Sequence, residues 1–147
     1  MGHIERFQAY AAAFEEAFKS DDWSVVEPYF TEDAVYEIFG GEPFAGRYEG
    51  RDAILAYMKQ SLDGFDRRFE SRELDPLEGP SLKDGAVWMR WRVTYRVADA
   101  PPLVIEGEET AEFEGDRIRR LEDQMPADTS ATLSFFEEHG DKLEPAG

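Results

Sequence analysis

Two acids in the second half of the chain, Glu109 and Asp123, stand where the local pattern calls for apolar side chains. Glu109 shares its parity with Leu103, Ile105, Ala111 and Phe113, and Asp123 lies between Leu121 and Met125. A carboxyl on an apolar wall loses hydration when it ionises, and burial can raise its pKa by up to ~3–5 units. A neutral Glu109 can then donate to a developing enolate oxygen while an ionised Asp123 removes or relays a proton. Such a separation of pKa values is how two carboxyls divide acid and base work. An unpaired buried charge is costly, and Arg90, Arg92, Arg117, Arg119 and Arg120 are the cations a meander brings within reach.

The elements that must position these acids are legible from periodicity. Val87, Met89, Trp91, Val93, Tyr95 and Val97 alternate with polar or wet-face residues, the signature of a strand with one greasy face. Residues 103–113 and 117–125 follow as two more strands, broken at 99–102 and closed by Glu114-Gly115-Asp116 as a short hairpin. In the last strand Ile118 is even-numbered while Leu121 and Met125 are odd, which predicts a bulge near Arg119 and Arg120 that turns Asp123 inward. Upstream, Ile4, Phe7, Ala11, Phe14 and Phe18 recur at helical steps. Asp21 or Asp22 caps a short second helix through Trp23, Val26 and Tyr29, which Pro28 keeps short. Residues 34–39 read as a strand, the Gly- and Pro-rich residues 40–46 as a loop, 51–62 as a third helix and 65–74 as a weak strand. Pro76, Gly79 and Pro80 then turn the chain into the meander. A last helix carries Leu133 and Phe136 and stops at Gly140. One domain over 1–147 is expected, with its core in 4–125 and the final helix in 128–140.

Composition narrows the partners. The chain has 147 residues, 41% hydrophobic, with 16 Lys and Arg against 33 Asp and Glu, a net charge of -17. A polyphosphate or an anionic membrane is repelled by that balance, so no nucleic acid and no membrane partner is expected. There is no cysteine, hence no disulfide, thiol nucleophile or thiolate metal site. No stretch approaches the ~20 apolar residues of a spanning helix, and the start MGHIERFQAY lacks the order of a signal peptide. A cytoplasmic protein is expected.

The blocks FEEAFKSDDWSVVEPYFTEDAVYEIFG, GRDAILAYM and EGDRIRRLEDQM, in this order of helix, strand, helix and meander, resemble the nuclear-transport-factor-2-like superfamily, and its SnoaL-like branch in particular. The resemblance implies an α+β fold: a cone-shaped, curved antiparallel sheet with three N-terminal helices packed on its concave face and a short C-terminal helix. Against ketosteroid-isomerase-like members, the general-base position falls at Ile38, the pocket tyrosine at Phe14 and the oxyanion-side acid at Glu109. Against limonene-epoxide-hydrolase-like members, Tyr36 matches the water-positioning tyrosine and Asp123 the last acid of the charge set, whose other positions fall at Trp91 and Val93. The histidines used by the scytalone-dehydratase-like branch have no match, because His3 and His139 lie near the termini. The SnoaL-like polyketide cyclases, with an Asp late in the sheet and an otherwise apolar pocket, are the nearest chemical analogy. The resemblance thus implies catalytic roles for Asp123, Glu109 and Tyr36 and a pocket wall drawn from Phe14, Ile38, Trp91, Val93, Phe113 and Leu121.

Two functions follow. One is a cofactor-independent acid–base enzyme, a cyclase, isomerase or hydrolase, acting on a small, mostly apolar carbonyl compound. The other is a non-catalytic pocket or dimerisation module. The acids Glu106, Glu108 and Glu112 face away from Glu109 and suit cross-strand pairs with Arg90, Arg92 and Arg96 rather than a metal, so none is expected. That charged face, with Trp88, also suits a homodimer through the sheet.

Overall fold

The computed structural model of the chain describes residues 2–145. The first helix, α1 (His3–Ser20), buries Phe7, Tyr10 and Ala17 along one face. It ends where Asp21 takes a left-handed φ of 60° and donates its N–H to the Ala17 carbonyl, a conformation that short acidic residues tolerate. No second helix follows. Residues 23–29 form two single 3-10 turns, the first opened by Asp22, whose carboxylate accepts the Ser24 N–H at 3.1 Å, and the second held by Pro28.

Strand β1 (Phe30–Phe39) starts earlier than the sequence reading placed it and turns Phe30, Ala34, Tyr36 and Ile38 inward. Part of the expected loop is a short strand, β2 (Gly46–Glu49), paired with β1. Helix α2 (Arg51–Gly64) buries Ile54, Met58 and Leu62. Residues 66–68 are a 3-10 turn rather than strand. The long β3 (Ser71–Lys83) then runs straight through Pro76, Gly79 and Pro80, which were expected to break the chain. It can do so because it is an edge strand whose register with its neighbour slips on either side of Glu78, and an edge accommodates prolines and bulges. Strands β4 (Ala86–Arg96), β5 (Leu103–Glu114) and β6 (Arg117–Gln124) form the expected meander, and α3 (Ser130–His139) closes the described chain order.

The six strands lie in the order β2-β1-β6-β5-β4-β3. Every neighbouring pair is antiparallel except β1 and β6, which run parallel. The sheet is therefore mixed and open, with β2 and β3 as separate edges, and the curved antiparallel cone is overturned. Hairpin signals report only strands adjacent in sequence, so the pairing of the first strand with the last left no local trace. Two helices and a pair of turns also stand where three helices were expected. The bulge is where the phase slip put it: Glu112 pairs with Arg120 and Phe113 with Ile118, leaving Arg119 as the extra residue.

The helices share one face of the sheet. Phe7, Tyr10, Ile54 and Met58 pack there against Tyr36, Ile38, Val87 and Leu121, while Phe135 of α3 packs with Phe69, Val93, Tyr95 and Ile105. No helix among the described residues is long and apolar enough to cross a membrane.

Candidate active site

Ile38, Asp123, Glu109 and Met89 form one row across β1, β6, β5 and β4, each opposite the next. The bulge at Arg119 sets this row, because it restores the inward phase that brings Asp123 onto the core face. Asp123 is 7% exposed. Its Oδ2 accepts a hydrogen bond from the Tyr36 hydroxyl, and its Oδ1 is buried with no hydrogen-bond partner among the described residues. Glu109 is half-buried, and what remains open of it faces a cavity of about 620 Å³.

Both carboxyls are pushed above the ordinary carboxylate range. For Glu109 the cause is burial first, then the neighbouring Asp123 charge. For Asp123 it is burial, opposed by hydrogen bonding from Glu109 and Tyr36. The pair thus holds a proton more readily than two separate acids, and the Tyr36 hydrogen bond favours the charged form of Asp123. Burial and the same two acids push the Tyr36 hydroxyl far above its ordinary value, so it stays a donor.

The expected cations are elsewhere. Arg90 and Arg92 pair with Glu106 at 3.4 and 3.3 Å, Arg119 with Glu112 at 3.4 Å, and Arg120 with Glu37 at 2.9 Å, while Arg117 is exposed. These pairs occupy the outer face, where Trp88 also donates to Glu108 at 3.0 Å. The sheet's amphipathicity therefore leaves the inner carboxyl pair without a counter-charge.

Of the expected wall, Phe14, Ile38, Trp91 and Val93 line the cavity. Leu121 is fully buried behind it, and Phe113 stacks on His3 at 4.7 Å instead. Trp91 reaches the cavity by lying across Gly107, where an added Cβ would come within 2.6 Å of the ring.

Sequence reasoning missed several groups. Tyr48 of β2 and Tyr57 of α2 stack at 3.9 Å and both face Tyr36. A second polar cluster in the same cavity joins four elements: Arg72 donates to Asp66 at 2.8 Å and to Glu15 at 2.8 Å, and Tyr95 donates to Asp66 at 3.0 Å. Its one sequence signal is parity, since Arg72 shares its phase with Leu74 as Glu109 does with Ala111.

A model of the SnoaL-like domain matches residues 10–121. The chain belongs to the SnoaL-like domain family. Solved structures agree on the fold of this SnoaL-like domain. A Bacillus subtilis protein provisionally described as an isomerase is 21% identical over 95% of this chain and 96% of its own, with a TM-score of 0.66. A nuclear-transport-factor-2-like protein of unknown function from Burkholderia pseudomallei is 17% identical over 91% and 97%, with a TM-score of 0.65. A Sinorhizobium meliloti protein provisionally described as a polyketide cyclase is 23% identical over 78% and 93%, with a TM-score of 0.55. No curated protein matches the SnoaL-like chain significantly by sequence.

Proposed function

We propose that this SnoaL-like protein is a cofactor-independent acid–base enzyme acting on a small, mostly apolar carbonyl compound. The observation that carries the reading is the opposed Asp123 and Glu109 pair on the cavity wall, with the Tyr36 hydroxyl on one Asp123 oxygen. The Asp123 carboxylate, on the cavity wall, removes a proton from the carbon next to the carbonyl. The C–H electrons form a carbon–carbon double bond, the carbonyl π pair moves to oxygen, and Glu109 supplies that oxygen with its proton. Where the enol is conjugated with a further double bond, Asp123 returns its proton at the remote carbon while the enol O–H gives its proton back to Glu109, leaving an isomer. Where a second carbonyl lies in reach, the enol carbon attacks it, the new alkoxide takes the Asp123 proton and the enol O–H again returns its proton to Glu109, leaving a ring. General acid–base catalysis of this type is worth roughly 10²–10⁴-fold. The isomerase and cyclase descriptions attached to two structural neighbours support this class of chemistry.

The test uses β-tetralone, whose acidic protons sit beside a carbonyl on an apolar frame. Proton NMR in heavy water should show protein-catalysed exchange of those protons. Asp123→Asn should reduce it about 100-fold or more with binding changed less than about threefold, a difference under 1 kcal/mol. Exchange that survives this substitution sinks the reading. Binding without exchange by the unmutated protein would favour the ligand-holding pocket instead. The homodimer belongs to the same reading: the outer face offers Trp88 and Val104, the latter 49% exposed, among its ion pairs, and native mass spectrometry at twice 16.8 kDa would support it.

A further inference from the structure

Arg72 is a buried cation with one unused hand. Its side chain is 10% exposed, its Nε is engaged by Asp66 and its Nη1 by both oxygens of Glu15. Nη2 makes no hydrogen bond among the described residues, and it is not one of the sealed, orphaned atoms, as the Arg51 Nε is. The residue lines the cavity, and the Tyr95 hydroxyl also lies against its guanidinium. Asp66, Glu15 and Tyr95 line it with Arg72, and the guanidinium packs 5.2 Å from the Phe18 ring, which fixes its plane.

Arg72 pairs with Tyr95 across β3 and β4, whereas Met89 marks the row of the carboxyl pair. Six residues along a strand separate the two rows, about 20 Å at the backbone. Between them on β4, Trp91 and Val93 line the cavity, and Phe65 packs on Tyr95 at 5.2 Å. Its volume, about 620 Å³, suits a drug-sized molecule. The cavity therefore has a polar group at each end of an apolar span.

We infer that the Arg72 cluster is a second recognition site in this cavity, one that holds a neutral oxygen at the far end of an elongated, apolar carbonyl compound. A neutral oxygen fits better than an anion because the single guanidinium charge is already faced by two carboxylates. A hydroxyl oxygen can accept from Nη2 and donate its own proton to Asp66 or Glu15. Holding that end fixes which carbon of the substrate meets Asp123. The inference rests on the acid–base reading only for what happens at the other end, and its test is a binding measurement that does not depend on turnover.

The probes are 4-phenylcyclohexanone and its para-hydroxyphenyl and para-carboxyphenyl analogues, with affinity read from quenching of tryptophan fluorescence. The hydroxyphenyl compound should bind about 10-fold more tightly than the phenyl compound, the value of one hydrogen bond to a charged donor. Arg72→Gln should bring that ratio close to one. A purely structural role for Arg72 would lower both affinities together and leave the ratio intact, which overturns the inference. Tightest binding of the carboxyphenyl compound overturns it as well. If the variant does not fold, nitrogen-15 NMR of the unmutated protein decides: the Arg72 guanidinium signals should shift with the hydroxyphenyl compound and not with the phenyl compound, and equal shifts defeat the idea. Loss of ketone exchange with this preference intact would count against the acid–base reading alone.

Discussion

Tyr36 hydrogen-bonds Asp123 from two residues along a parallel strand, since the residue opposite Asp123 on β1 is Ile38. The hydroxyl reaches diagonally across the ladder, and this single contact distinguishes the two oxygens of the buried carboxylate. One oxygen is held by the Tyr36 hydroxyl, and the other is sealed beneath the cavity wall.

Removing that contact should make Asp123 harder to ionise. A hydrogen bond to a charged group contributes about 1.5–3 kcal/mol, so Tyr36→Phe should move the acid limb of the exchange–pH profile upward by about one unit or more. A limb that stays in place, or moves down, shows that Tyr36 does not stabilise the Asp123 anion.

Glu109 makes stability depend on pH with a definite sign. Its folded pKa lies above its unfolded value, chiefly through burial, so the native state keeps a proton that the unfolded chain loses above pH ~4.3. Native stability contributed by this group is full below that pH and falls as pH rises toward the folded pKa, with a slope of up to about 1.4 kcal/mol per unit. Asp123, also raised, acts in the same direction. Glu109→Gln should therefore gain melting temperature over the unmutated protein as pH increases from about 4 to about 7. Thermal melts across that range check it, and a difference that is flat with pH contradicts it.

Gly107 is a steric requirement of the cavity wall. A Cβ there would stand 2.6 Å from both the Trp91 ring and the Gln124 carbonyl oxygen. Gly107→Ala should destabilise the fold by about 1–3 kcal/mol through overpacking and should alter tryptophan emission. Urea denaturation followed by fluorescence measures both, and an unchanged midpoint refutes the close approach.

Much of this was legible before any coordinates. Parity placed Glu109 and Asp123 inside, and the even-to-odd slip between Ile118 and Leu121 located the bulge at Arg119. What the sequence hid has physical causes. The β1–β6 pairing joins strands some eighty residues apart with no turn to announce it. The length of β3 was masked by Pro76, Gly79 and Pro80, which an edge strand tolerates. The Arg partners expected for the inner acids serve the outer face, because neighbouring residues on a strand point to opposite sides. Arg72 escaped notice because it sits in the weakest of the alternating segments.

The parallel union of β1 with β6 also has a consequence for how the chain assembles. Antiparallel neighbours can zip from their turns soon after collapse, but this pairing must wait until nearly the whole intervening chain has found its place. Such long-range closure raises contact order and slows folding. Ile38, Tyr36 and Asp123 straddle that seam, so the contact between the Tyr36 hydroxyl and the Asp123 carboxylate takes shape only when this long-range closure is made.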